Sequence, residues 1–235
     1  MTHQLLPYTE GDDTFDAYLV RPSGPGPHPA VLICHAWGGR DEFAENKAKA
    51  IAELGYVGAA IDVYGVGKRG TDTASNQALM MPLLHDPAML RRRLTAAYQA
   101  VRTADGVDPD KMATIGFCFG GLCSILTGRM GLDLRGVVAF HGLLKIGEQL
   151  DPHPKAQFLI LHGQDDPMVP TEDLAGFAAE MKRIDARWTL EAYPGVQHAF
   201  TVPGANDDQL GLHYNAQAAA RSWLSMKRFL GDVFE

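Results

Sequence analysis

The stretch Thr114-Ile115-Gly116-Phe117-Cys118-Phe119-Gly120-Gly121 places a cysteine between an apolar run that reads as a buried strand from Lys111 and a stretch that reads as the start of a helix. A side chain at such a sharp turn is pushed out of the sheet. The helix that follows aims its first N–H groups at whatever that side chain attacks. The chemistry this suits is nucleophilic attack on an acyl carbon. A thiol is mostly protonated at neutral pH, so it needs a base within hydrogen-bond reach and a third group that orients the base. Histidine is the natural base, because its ordinary pKa lies near working pH.

Both partners are expected on later loops, in the order nucleophile, acid, histidine. The acid falls in His162-Gly163-Gln164-Asp165-Asp166-Pro167-Met168-Val169-Pro170, where two aspartates compete. The pattern H-G-x-x-D-x-x-V-P sets the functional position at Asp166, and Asp165 reads as a solvated turn residue. The base falls in Tyr193-Pro194-Gly195-Val196-Gln197-His198-Ala199-Phe200 as His198, while His213 lies nearer the last helix and reads as a surface residue. An oxyanion hole needs two converging N–H donors. The backbone N–H of Phe119 is expected to supply one. Trp37, in the loop after the first central strand, is expected to supply the other, although Gly38 and Gly39 would equally suit a plain tight turn.

These loops need a scaffold that collects strand ends. Thr14 to Arg21 reads as an edge strand, followed by a Pro/Gly-rich surface loop to Pro29. Ala30 to Cys34 and Val57 to Ile61 are short apolar runs of the kind buried on both faces of a parallel sheet, as are Val137 to Phe140 and Phe158 to Leu161. Trp188 to Tyr193 is the last strand. Helices are expected over Ala44 to Leu54, from Asp86-Pro87 to about Arg102, over Thr171 to Ile184 and over Asn215 to Leu230, the last with Ala216, Ala219, Ala220, Trp223 and Leu224 inward. The segment Val66 to His85, interrupted by Pro82, is expected to be an irregular cover over the sheet edge. Arg91, Arg92 and Arg93 point in different directions around their helix and read as a solvated face. Alternating strands and helices imply an α/β fold with a doubly wound, mostly parallel sheet and helices on both faces. Functional groups then gather at the C-terminal ends of the strands. His35, Ala36, Tyr64, Phe117, His141 and Phe200 are the candidate lining of a substrate pocket, with His162 also ending a strand.

At 235 residues the chain is most simply a single domain over 1–235. A net charge of -7 argues against a nucleic-acid or anionic-membrane surface. Glu10, Asp12, Asp13 and Asp16 fall where a secretory signal would need an unbroken apolar core. Cys34, Cys118 and Cys123 are the only cysteines, with no paired spacing. Neither a disulfide framework nor a zinc site is therefore expected, and a reducing, cytoplasmic setting is. Cys34 and Cys123 read as small buried hydrophobes.

Gly116-x-Cys118-x-Gly120-Gly121, Asp62-Val63-Tyr64-Gly65, His162-Gly163-Gln164-Asp165-Asp166 and His198-Ala199-Phe200, taken together and in this order, resemble the dienelactone hydrolase family over nearly the whole chain. The resemblance implies an α/β-hydrolase with a Cys118-His198-Asp166 triad, which cleaves a small-molecule carboxylic ester or lactone through a thioester acyl-enzyme, with no metal or organic cofactor. The chain departs from the best-known members at Ala36, where they carry a glutamate near the thiol. It departs again at Val202, where they carry an arginine that holds a substrate carboxylate. Lys68 or Arg69 stands only approximately where a second such arginine lies. Thiol-dependent acyl transfer or amide cleavage on the same triad is the alternative reading, and a non-catalytic binding protein of the same fold is the alternative from another class. A redox-sensing thiol would need a resolving cysteine close to Cys118, and Cys123 in the same helix is misdirected for that.

Overall fold

The computed structural model describes residues 1–145 and 153–235. The chain divides into two compact units, Met1–Ile115 and Gly116–Glu235. The first carries β1 (Thr2–Glu10), β2 (Asp13–Arg21), β3 (His28–Cys34), α1 (Glu42–Glu53), β4 (Val57–Ile61), α2 (Thr73–His85), α3 (Pro87–Arg102) and most of β5 (Val107–Phe117). The second carries α4 (Phe119–Arg129), β6 (Gly136–Phe140), β7 (Gln157–Gly163), α5 (Thr171–Arg183), β8 (Arg187–Tyr193), the short pair β9 (Asn206–Asp207) and β10 (Leu212–His213), and α6 (Ala216–Phe234). The strands make a mostly parallel sheet, in the order β1-β2-β4-β3-β5 in the first unit and β6-β7-β8 in the second.

The central strands form where apolar runs can be covered on both faces. All five residues of β4 and of β6 are buried, and β4 and β7 pair in parallel with β3 and β6 respectively. In the first unit the edge differs from expectation. β2 is an inner strand, antiparallel to both β1 and β4, and β1 forms the edge. Among its nine residues only Tyr8 is buried, so it carries almost no hydrophobic pattern to read. Pro7 fits there because an edge strand can lack an amide donor.

The segment expected to be irregular contains α2, a continuous helix. Asp72 caps it, accepting from the Ser75 N–H at 2.8 Å, and the Ser75 hydroxyl in turn accepts from the Asp72 N–H at 3.1 Å. This reciprocal capping box fixes the first turn, and the helix runs through Pro82 to His85. The arginine run of α3 is a solvated face only in part, since Arg92 is exposed but Arg93 is not. Arg93 is buried, donating to the Val63 carbonyl at 2.9 Å and to Asp13 at 2.7 Å, and Arg92 donates to Glu10 at 2.6 Å. The bonds of Arg93 replace the water that its guanidinium gives up.

In the second unit, α6 buries Ala218, Ser222, Met226, Leu230 and Phe234. That face is rotated from the expected one, and Leu224 is 44% exposed. Ser222 misleads a reading of apolar residues because its hydroxyl bonds the Ala219 carbonyl at 3.0 Å, which makes a buried serine acceptable. The described residues contain no helix long and apolar enough to cross a membrane.

Candidate active site

Every residue expected in the triad lies in the second unit. β5 ends at Phe117, α4 starts at Phe119, and Cys118 between them has φ of 57°. A non-glycine residue is disfavoured there by roughly 1–3 kcal/mol, so the surroundings must hold it. They do so through the Cys118 N–H, which is shared between the Phe140 carbonyl and Nδ1 of His141, each at 3.1 Å. Strand and helix also approach very closely. A Cβ on Gly116 would stand 1.8 Å from the Gly120 carbonyl oxygen, so only glycine permits this turn. The thiol of Cys118 is half-buried, while Cys34 and Cys123 are buried. Burial pushes the Cys34 thiol up to about 12, against the smaller effect of its contact with Thr114.

The loop after β7 carries Asp166 inward. Its Oδ2 accepts from Nδ1 of His198 at 2.7 Å and its Oδ1 accepts from the Met168 N–H at 2.8 Å. The two side chains are 1% and 0% exposed. Asp165 is exposed. The acid loop and the histidine loop abut, since a Cβ on Gly163 would lie 2.5 Å from the Val196 carbonyl oxygen. His198 is itself pinned by its backbone, with its N–H on the Gly211 carbonyl at 3.1 Å and its carbonyl accepting from the His213 N–H at 3.0 Å. His213, half-buried, contacts Asp208 at 2.9 Å.

Burial alone would pull the His198 imidazolium down. The charge of Cys118 and the hydrogen bond to Asp166 outweigh it and raise the pKa to about 10. The sulfur is thus close enough to favour the imidazolium, although Nε2 makes no hydrogen bond of ordinary geometry among the described residues. This arrangement sets a histidine drawn toward its cation beside Cys118, with a buried carboxylate behind it.

Most of the other candidates are also buried. His141 is fully enclosed, with Nε2 2.7 Å from the Thr201 hydroxyl. Phe200 packs edge-on against it, and Phe117 stacks on Phe140 with centroids 4.7 Å apart. His162 is buried and its pKa is lowered by that burial, against the pull of Asp166. In the first unit, His35 has its Nε2 on the Val63 N–H and its pKa lowered by burial. The Asp62 carboxylate accepts from the Tyr64 and Gly65 N–H groups, and the Tyr64 hydroxyl donates to the Trp37 carbonyl at 2.9 Å. Tyr64 therefore braces the loop that holds Trp37, and Ala36 beside it is half-buried. Among the described residues no cluster of three or more His, Cys, Asp or Glu could hold a metal ion. Thr201 carries no sequence signal. Its part in the site depends on a contact with a residue 60 positions away.

A family model described as the dienelactone hydrolase family matches residues 15–234. A Bradyrhizobium protein named as a probable 2-oxo-3-(5-oxofuran-2-ylidene)propanoate lactonase is 29% identical over 195 residues, 78% of this chain and 78% of that protein. A Yersinia pestis protein named as a putative carboxymethylenebutenolidase is 26% identical over 232 residues, covering 93% of this chain and 83% of its own. Among solved structures, a dienelactone hydrolase-like promiscuous phosphotriesterase from metagenomic libraries superposes with a TM-score of 0.95 at 32% identity, covering 100% of this chain and 99% of that one.

Proposed function

The chain belongs to the dienelactone hydrolase family, making it a hydrolase of carboxylic ester bonds, and we propose that it works through Cys118 as nucleophile and a thioester acyl-enzyme. The observation that supports this most is the buried 2.7 Å contact of Asp166 with His198, on a histidine whose pKa is raised partly by the charge of Cys118.

The Cys118 thiolate attacks the ester or lactone carbonyl carbon. The C–S bond forms as the carbonyl π pair moves onto oxygen. The Phe119 N–H stabilises that oxyanion. The tetrahedral intermediate collapses, breaking the C–O bond, and the His198 imidazolium protonates the departing alkoxide. Neutral His198 then takes a proton from water, whose oxygen attacks the thioester. Collapse returns the Cys118 thiolate, the imidazolium and the free acid. Asp166 keeps Nδ1 protonated throughout, so that Nε2 does the proton transfer.

Val202 brings no charge where the best-known members carry an arginine for a substrate carboxylate, so the preferred substrates are neutral esters and lactones rather than carboxylate-bearing ones. A panel of both kinds on wild type and Cys118→Ala tests the reading. Wild-type turnover that vanishes in the variant supports it; equal hydrolysis by both proteins overturns the nucleophile.

The likeness to the phosphotriesterase structure favours a second, side activity. The same thiolate would attack phosphorus and expel an aryl oxide, which His198 protonates. An aryl phosphotriester that releases no phenol above the Cys118→Ala background would remove this reading.

A further inference from the structure

Buried histidines commonly serve only to satisfy neighbouring polar groups, but the groups around His141 are those of the reacting centre. Its Nδ1 accepts from the N–H of Cys118 at 3.1 Å, and its Nε2 lies 2.7 Å from Oγ1 of Thr201, three residues beyond His198. Its ring meets the His198 imidazole edge-on, with centroids 5.1 Å apart and planes at 66°. Its own backbone has φ of 38°, held by an N–H bond of 2.8 Å to the Leu161 carbonyl.

We propose that His141 is a positioning residue which, as a neutral imidazole, locks the turn of Cys118 to the loop that carries His198. This rests on the triad reading above.

The protonation state follows from the partners. An amide N–H is only a donor, so Nδ1 must present a lone pair; the ring proton then sits on Nε2 and is donated to the Thr201 hydroxyl. Neutrality matters because the ring lies against His198. A second imidazolium there would compete for the Cys118 thiolate and repel the cation that the triad needs. The rigid link also has a geometric consequence. Cys118 is held at its positive φ from the N–H side, and Thr201 ties the histidine loop to the same ring. Sulfur and base therefore keep a fixed separation, which sets the rate of the attack step more than the affinity for substrate.

Three variants dissect the link. His141→Phe keeps a ring and loses both bonds. His141→Asn keeps an acceptor for the Cys118 N–H and tolerates the left-handed backbone, but loses the Thr201 bond. Thr201→Val loses that same bond from the other side. Each is assayed on a p-nitrophenyl ester, with active sites counted by the pre-steady-state burst so that misfolded protein does not enter the rate, and with Cys118→Ala alongside.

His141→Phe is expected to lose about tenfold to a hundredfold in kcat per active site, with KM within about twofold of wild type. His141→Asn is expected to recover most of that loss and to match Thr201→Val. The double variant His141→Asn/Thr201→Val is expected to be no slower than either single one. A purely structural role would lower the burst amplitude and leave kcat per site alone. Wild-type kcat per site in His141→Phe, or additive losses in the double variant, overturns the proposal. If His141→Phe does not fold, the other two decide it, with full kcat in both overturning it. Activity that persists in Cys118→Ala overturns the triad and this inference together. An inactive Cys118→Ala beside a fully active His141→Phe overturns this inference alone.

Discussion

Replacing Asp166 by asparagine changes one atom and reverses the logic of the base. Oδ1 of Asp166 accepts from the Met168 N–H at 2.8 Å. An asparagine must keep its carbonyl oxygen on that donor, because its NH2 group cannot accept. The NH2 then faces Nδ1 of His198, where the carboxylate oxygen stood at 2.7 Å. Nδ1 becomes an acceptor, the ring proton moves to Nε2, and His198 can no longer take a proton from Cys118 or from water. The bond that is lost is charge-assisted and lies between side chains 1% and 0% exposed, so it is worth about 1.5–3 kcal/mol. At ~1.4 kcal/mol per pKa unit this alone lowers the His198 pKa by about one to two units. The tautomer change adds to it, and kcat is expected to fall by about 10³–10⁴-fold, the size seen when the equivalent aspartate of a serine-protease triad is changed. Stopped-flow and steady-state hydrolysis of a p-nitrophenyl ester measure this, with Asp165→Asn as the comparison. Asp165 is exposed, so its variant is expected within about twofold of wild type, the range of ordinary surface changes. An Asp166→Asn enzyme within about tenfold of wild type, or a larger loss in Asp165→Asn, would refute the reasoning.

Iodoacetamide at neutral pH should alkylate Cys118 and leave Cys34 and Cys123 unmodified in the folded protein, because both are buried and burial pushes the Cys34 thiol up to about 12; peptide mapping that finds Cys34 labelled as fast as Cys118 would contradict this. The His198 pKa is raised from 6.5 to about 10. A folded-state pKa above the unfolded one stabilises the fold fully below about pH 6.5, and this contribution is lost as pH rises through about 10. The melting temperature of wild type should therefore approach that of His198→Gln between neutral pH and pH 10, and a constant gap across that range would argue otherwise. Gly116→Ala drives a Cβ into the Gly120 carbonyl oxygen at 1.8 Å. It should cost about 1–3 kcal/mol or more, lowering the melting temperature by about 2–4 °C for each kcal/mol; an unchanged calorimetric melt would mean that the turn can relax. Glu180→Ala removes an ion-pair partner of Arg129, whose side chain is 1% exposed. Losing that charge-assisted bond should cost about 1.5–3 kcal/mol in chemical denaturation, and a loss below ~0.5 kcal/mol would contradict this.

The parts of the molecule legible in the sequence are those set by local spacing. The apolar runs of β3, β4, β6 and β7 and the turn at Cys118 are short-range patterns, and the structure has these strands and this turn where the spacing sets them. The H-G-x-x-D-x-x-V-P pattern likewise singles out the aspartate that meets His198. The features that were not legible depend on partners far along the chain. β1 carries a single buried residue and takes its place by pairing with β2. The inward face of α6 turns on a serine that bonds its own helix. Arg93 is buried because Asp13 and the Val63 carbonyl, 80 and 30 residues away, receive it. α2 passes through a proline that reads as a break; a capping box secures its first turn and the Asp86 N–H closes its last turn on the Pro82 carbonyl. His141 shows the same limit at the site. Its place at the end of β6 marks it as a candidate, but the hydrogen bonds that would define its work reach Cys118 and Thr201.

The covalent step is open to direct observation. Rapid acid quench of wild type during turnover of a slow ester, followed by intact and peptide mass spectrometry, should find the acyl group on the peptide that contains Cys118, and the thioester should be cleaved by neutral hydroxylamine. Its level should rise in His198→Gln if acylation still occurs there, because deacylation needs the base. An acyl group on any other residue, or full turnover with no acyl-enzyme in wild type and none of the rate lost in Cys118→Ala, would contradict covalent catalysis by Cys118.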